Sequence, residues 1–287
     1  MAQEGEQAMK HLAGVVGAEI AERLEPLAHE YLSADGPTLT CERIPGDADH
    51  RDLFEDILEF LAKEGMLGIH VLWPHRPYAS ARAEWLASAE VAGCVDTLVF
   101  RDRGDRVPLG ANVTVDAFTD LFAQHGLEPH GTTVLYGAGH TARSLVSALH
   151  TLGASKVLVF DPRPGRTDAM IANVEASESQ RGFVEKVDDP EAAFAVADSF
   201  ADCLSRAAGV QLEVPGQLRW RFDGPGRQLD ADPAPTGGLL PGWCLSVHRA
   251  ARARSLWLDE APNPRLVERS LERMAEEVRQ CTMGREK

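Results

Sequence analysis

Residues Val134 to Asp161 read VLYGAGHTARSLVSALHTLGASKVLVFD. The apolar run Val134-Leu135-Tyr136 leads into Gly137, Gly139 and Ala142, spaced G-x-G-x-x-A. Apolar residues then recur at helical intervals (Leu145, Val146, Ala148, Leu149), Gly153 closes the helix, and a second apolar run, Val157 to Phe160, ends on Asp161. Strand, tight turn, helix and strand within about 30 residues form the unit that binds dinucleotides. Gly137 permits the sharp exit from the strand. Gly139 lets a pyrophosphate approach the backbone, and Ala142 lets the helix pack closely on the strand. The helix start, with Ala138, His140 and Thr141, offers N–H groups and a positive dipole end to phosphate. Asp161 stands where a carboxylate accepts from a ribose diol, which favours NAD. Arg163 and Arg166 follow at once and could pair with the 2′-phosphate of NADP.

The 287 residues suffice for two domains with a substantial core, and 44% are apolar. With 29 basic against 44 acidic residues, the net charge of −15 argues against nucleic-acid or anionic-membrane partners. An anionic ligand must then be caught by a local basic cluster. No apolar run approaches the about 18 residues of a membrane span, and the polar start MAQEGEQAMK is unlike a signal peptide. The 5 cysteines form no C-x-x-C pair, which fits reduced thiols in a cytoplasm and no zinc site.

Around the central unit, strand and helix patterns alternate, so the fold class is α/β. Strands are expected at Gly14–Gly17, Thr38–Ile44, Gly68–Trp73 and Val95–Arg101. Helices are expected at Pro26–Leu32, Asp47–Glu64 (capped by Asp47 or Asp49), Glu84–Val91 and Asp116–His125. A charged turn should occupy Arg101–Arg106. Signals weaken over 175–209, and 216–242 reads as loops around one strand near Leu218–Phe222. Amphipathic helices close the chain at Leu245–Trp257 and Pro264–Val278. The expected organisation is an α/β substrate domain over 1–110 and a parallel-sheet, Rossmann-type cofactor domain over 111–245. The helices of 246–287 should pack back on the first domain.

The order of motifs resembles the shikimate and quinate dehydrogenase family. GVVGAEIAERLEPLAH, Gly14 to His29, is similar to its opening strand and turn. GIHVLWPHR, Gly68 to Arg76, stands where the family has G-x-N-V-T-x-P-x-K. GCVDTLV, Gly93 to Val99, resembles A-V-N-T-L-V, and GANVT, Gly110 to Thr114, resembles G-x-N-T-D. ADCLSRAAGVQL, Ala201 to Leu212, and LSVHRAARARSLW, Leu245 to Trp257, are similar to the two closing motifs.

The resemblance implies an NAD- or NADP-dependent oxidoreductase, but most polar family positions carry other residues. The carboxylate-binding serines fall on Arg23 and Glu25, the first asparagine on His70 and the catalytic lysine on Arg76. The second asparagine falls on Asp96 and the N-T-D asparagine on Asn112. The catalytic aspartate falls on Thr114, and Asp116 could replace it only with a rebuilt turn. The late glutamine falls on Arg249, and a cofactor-side asparagine on Arg206. Arginine stays charged, so Arg76 can polarise a carbonyl but is a poor proton donor, and shikimate itself is not the expected substrate. His70, with an ordinary pKa near about 6.5, is the best-suited proton donor. Arg23, Arg76 and Arg249 facing one cleft suggest a small organic acid more anionic than a monocarboxylate. The rival reading is a catalytically inactive binding or regulatory protein, in which these charges satisfy one another. A non-redox use of bound nucleotide is a third. A homodimer is compatible with either.

Overall fold

The structure, a computed structural model, describes residues 11–18, 24–34, 39–46, 51–101, 107–204, 220–223 and 239–285. The first half builds β1 (His11–Gly17), α1 (Leu24–Ala34), β2 (Leu39–Pro45), α2 (Arg51–Lys63), β3 (Gly68–Val71) and α3 (Arg76–Arg82). It continues with β4 (Glu84–Trp85), α4 (Ala87–Ala92), β5 (Thr97–Val99), β6 (Leu109–Ala111) and α5 (Val113–Gln124). These strands form a mixed sheet in the order β2-β1-β3-β5-β6-β4. β1 pairs parallel to β2 and β3, while β5 runs antiparallel to both β3 and β6.

The second half comprises β7 (Thr132–Tyr136), α6 (His140–Thr151), β8 (Lys156–Phe160), α7 (Arg166–Glu175), β9 (Val184–Lys186), α8 (Pro190–Phe194) and β10 (Ser199–Asp202). β11 (Arg221–Asp223), β12 (Leu239–Pro241), α9 (Gly242–Leu258) and α10 (Pro264–Arg285) complete it. Its sheet, β12-β11-β10-β7-β8-β9, is parallel throughout. The expected α/β class and the parallel sheet around the glycine loop are both present. β7 is flanked by β8 on one side and β10 on the other, so strand order reverses at its carboxyl end, where ligands bind in open α/β sheets.

Side-chain alternation explains why the strands of this sheet read as continuous apolar runs. Leu135, Val157 and Val159 point to one face and pack with Phe118 of α5, Leu145 of α6 and Leu245 of α9. Val134, Tyr136 and Leu158 point to the other and pack with Ala193 and Phe200. Both faces are covered, so neither can be polar. Helix α9 joins the two halves. Its start, around Trp243, lies in the core of the second sheet, and its end reaches the first, where Trp257 Nε1 donates to the Leu98 carbonyl at 3.0 Å. α1 packs on α9 and α10, with Leu24, Ala28 and Leu32 sharing a core with Leu271 and Met274.

Some local expectations need correction. The first strand starts at His11, because its parallel register with β2 runs from His11 opposite Leu39. Glu84 and Trp85 are not helical; they pair with Leu109 and Gly110 at the sheet edge, and the helix begins only at Ala87. The strand β12 was not anticipated. Its three residues end in Pro241, which an edge position tolerates. The caps at Asp47 or Asp49 and most of the 101–106 turn lie outside the described residues.

Candidate functional site

Two sets of side chains meet where the carboxyl ends of β1, β3 and β7 deliver the chain into α1, α3 and α6. The first is the glycine loop. Gly137 has φ +102°, in the left-handed region, and a Cβ there would lie 2.9 Å from the Cys203 carbonyl carbon. Any other residue would be both strained and obstructed. Gly139 is different: an added Cβ would meet nothing within 4 Å. None of the described residues requires the missing side chain, so the open space in front of the loop is available to a ligand. Gly139 is also the N-cap of α6 and supplies no side-chain cap, which leaves the first-turn N–H groups facing that space. Ala142 is fully buried against the sheet. This arrangement fits a dinucleotide phosphate.

Asp161, at the end of β8, ties the loop in place by accepting from the Ala138 N–H at 2.8 Å. Its Oδ1 accepts from Arg163 N at 2.9 Å and Nε at 2.8 Å, and its Oδ2 from Arg163 Nη2 at 2.6 Å. Burial pushes this carboxyl up, but the hydrogen bonds from Arg163 and Ala138 outweigh it and hold Asp161 below its ordinary value. The two residues read above as competing NAD and NADP signals are therefore one bidentate ion pair. His140 opens α6. Burial, followed by the charges of Arg76, Arg143 and Arg166, lowers it to about 3, so it is neutral at physiological pH. Thr141 follows in the first turn of α6. Arg206 lies outside the described residues.

The second set belongs to the first sheet. Arg76 begins α3, is 8% exposed, and donates from Nε to the Val71 carbonyl at 3.0 Å. Burial and the Arg249 charge lower it to about 10, against the pull of Asp96, Cys94 and Glu25, so it remains a cation at neutral pH. Asp96 is 1% exposed. Its Oδ1 accepts from Thr97 Oγ1 and Val113 N, both at 2.9 Å, and its Oδ2 from Thr114 N at 3.0 Å and from Thr114 Oγ1. It thus holds the N-terminus of α5, where a carboxylate offsets the helix dipole. Asn112 caps the same helix at Val115 N, 3.2 Å, donates to the Cys94 carbonyl at 3.1 Å, and accepts from Ser144 Oγ of α6 at 3.0 Å. Asp96 and Asn112 therefore fix the helix that links the two sheets.

Asp116 does not stand in for Thr114. Two residues along a helix differ by about 200° in direction, and Asp116 is exposed on the far side of α5. There it lines a separate cavity of about 380 Å³ with Ser88, Arg252 and Asp259. His70 is also displaced from the role expected of it. It is fully buried, and its Nε2 lies 2.8 Å from Arg249 Nη2. A guanidinium only donates, so Nε2 accepts and the proton sits on Nδ1. Burial and then the Arg249 charge push His70 well below its ordinary value. A neutral imidazole in this setting packs, accepts from Arg249 on Nε2 and keeps its one hydrogen on Nδ1.

Arg249 also donates from Nη1 to Glu25 Oε1 at 2.9 Å. The expected trio of cleft arginines is thereby reduced: Arg249 is engaged by Glu25 and His70, Arg23 lies outside the described residues, and Arg76 remains. Arg143 was missed, although its place directly after Ala142 in the glycine motif marks it. Its charge, with those of Arg76 and Arg166, bears on His140. Among the described residues no His, Cys, Asp and Glu group could hold a metal, and no helix is long and apolar enough to cross a membrane.

No protein-family model matches the sequence. The shikimate dehydrogenase (NADP(+)) of Cereibacter sphaeroides strain ATCC 17025 is 30% identical over 270 residues, covering 88% of this chain and 92% of the relative. The enzyme of that description from Acidiphilium cryptum is 36% identical over 149 residues, so that match spans about half of each chain. Among solved structures, quinate dehydrogenase from Corynebacterium glutamicum in complex with NAD superposes with a TM-score of 0.74 at 21% identity, over 93% of this chain and 98% of that one. Shikimate 5-dehydrogenase from Thermus thermophilus in complex with NADP(H) and shikimate gives 0.74 at 19%, over 92% and 99%. With the fold, the glycine loop and nearly the whole length in agreement, this chain belongs to the shikimate/quinate dehydrogenase family.

Proposed function

We propose that the chain is an NAD(P)-dependent oxidoreductase that interconverts a hydroxyl and a carbonyl on a small organic acid other than shikimate. The observation that carries this reading is Gly139, whose side-chain position opens on free space at an uncapped helix start. In this reading Gly137 to Ala142 receive the pyrophosphate, and Asp161 or Arg163 meets the adenosine ribose. When bound, the nicotinamide supplies or removes the hydride. Arg76 then stabilises negative charge developing on the substrate oxygen, as a fixed buried cation does without reorganising, and the hydroxyl proton is exchanged with solvent. With Arg249 committed elsewhere, Arg76 is the cation among the described residues that this reading assigns to an anionic substrate.

The second reading, a binding protein without turnover, is favoured by one specific observation. The buried carboxylate of Asp96 has its oxygens occupied by Thr97 and the start of α5, and Arg76 does not exchange protons at neutral pH. Titration with NADH and NADPH, followed by fluorescence, tests the first reading. Micromolar binding of either supports it, and lack of binding of both sinks it. A screen of keto acids for NAD(P)H oxidation then separates the two, because binding without turnover of any small acid supports the second.

A further inference from the structure

Beside Arg76 lies a buried polar cluster that hydride transfer does not use. Glu25 of α1, His70 of β3 and Arg249 of α9 are 4%, 0% and 2% exposed. Arg249 joins the other two, but three polar atoms remain without a hydrogen-bond partner among the described residues: Glu25 Oε2, His70 Nδ1 and Arg249 Nε. Buried polar atoms in native proteins are nearly always partnered, by protein, solvent or ligand. Three orphans on three elements around one ion pair are therefore a place for an outside group. Arg76 donates to the carbonyl of Val71, the residue after His70 in β3, which puts the cluster next to the cation of the proposed reaction centre.

The orphans define the group that fits. Glu25 Oε2 is an acceptor and needs a donor. Arg249 Nε and His70 Nδ1 carry hydrogens and need an acceptor. A hydroxyl satisfies both demands, and a carboxamide does too. A carboxylate only accepts, and one set beside Glu25 at ~4 Å would lose about 1,000-fold in affinity to repulsion at an effective dielectric of 20. We infer that Glu25 takes, from within the protein, the place on Arg249 that a substrate carboxylate would need. The substrate accordingly presents an uncharged hydrogen-bonding group, a hydroxyl or an amide, to this corner of the cleft. The inference rests on the oxidoreductase reading and adds to it which end of the substrate is not acidic.

The test uses shikimate, a monocarboxylate, and its uncharged methyl ester as probes in isothermal titration. The wild-type chain should bind the ester at least about 10-fold more tightly than the acid. Glu25→Gln keeps an acceptor for Arg249 and leaves that cation unneutralised, so it should gain up to about 1,000-fold for shikimate. The double variant Glu25→Gln/Arg249→Gln should lose that gain. Wild-type preference for the acid overturns the inference, as does a folded Glu25→Gln variant that gains nothing. The wild-type comparison stands even where the variants do not fold. NADH titration of the same protein keeps the two claims apart: NADH binding with no shikimate gain overturns only this inference, whereas absence of NADH binding overturns the oxidoreductase reading.

Discussion

The substitution Thr114→Asp restores, on paper, the carboxylate that the family carries at the start of α5. The structure predicts that it fails alone. Thr114 is fully buried, and both its N–H and its hydroxyl donate to Asp96 Oδ2. An aspartate at 114 would set two carboxylates within ~4 Å of each other. At an effective dielectric of 20 that repulsion is about 4 kcal/mol. Losing the hydroxyl's charge-assisted hydrogen bond adds about 1.5–3 kcal/mol. The sum, about 5–7 kcal/mol, approaches the whole stability of many domains.

Urea unfolding followed by circular dichroism measures the cost, and the double-mutant cycle with Asp96→Asn identifies its cause. Asp96→Asn alone keeps one of the two oxygens that accept from α5 and should cost about 1–3 kcal/mol. Combined with Thr114→Asp it exchanges the two groups, and at least about 3 kcal/mol should return as coupling. The Thr114→Asp variant should also be relatively more stable at pH 5 than at pH 8, because a shared proton relieves the pair. Any return of shikimate oxidation should therefore need Arg76→Lys, Thr114→Asp and Asp96→Asn together. If Thr114→Asp is within 1 kcal/mol of wild type by the ~1.4 kcal/mol per tenfold scale, or if Asp96→Asn does not rescue it, the reasoning is wrong.

Gly139→Ala should fold normally, since its Cβ meets open space, yet weaken NADH binding at least about 10-fold; Gly137→Ala, at φ +102° and against Cys203, should cost about 1–3 kcal/mol of stability. Arg163→Ala releases Asp161 and removes the cation nearest it, so the ratio of NADPH to NADH affinity should fall by calorimetry. His29 is fully buried, and burial, then Arg254 and Arg249, lowers it to about 3. Between that value and about 6.5 the unfolded chain binds a proton that the folded chain does not. Its contribution is thus complete above about pH 6.5 and is lost as pH falls, by about 1 kcal/mol per pH unit near pH 5.5. His29→Gln should flatten the urea-derived stability slope by that amount.

The parts of the molecule legible in the sequence are those where one residue decides one local geometry. Gly137, Gly139, Ala142 and Asp161 each answer to the backbone or to a neighbour at fixed spacing, so the turn, the helix and the parallel sheet could be read from letters alone. Pairings across the chain could not. Glu25 and Arg249 are 224 positions apart, and nothing in either neighbourhood says that they meet. Nor could periodicity tell which side of α5 Asp116 faces until the start of that helix was known: three residues earlier than expected, at Val113.

The same distinction bears on how this site departs from its relatives. Read position by position, asparagine to aspartate at 96 and aspartate to threonine at 114 are two losses. In the structure the two positions form one unit: Asp96, just before β5, holds a carboxylate, and the Thr114 hydroxyl donates to it. The charge is kept within the site, and the start of α5 is still capped. Likewise, glutamate at 25 and arginine at 249 are two foreign residues in the sequence and one buried pair in the fold. Removing either partner of such a pair costs about 3–5 kcal/mol, whereas changing both together can be nearly neutral. Paired replacement therefore keeps the scaffold stable while the ligand chemistry changes. It also makes the combinations more informative than the single substitutions: if Asp96→Asn/Thr114→Asp and Glu25→Gln/Arg249→Gln are each milder than the worse of their single variants, the site was rebuilt in matched steps and did not decay residue by residue.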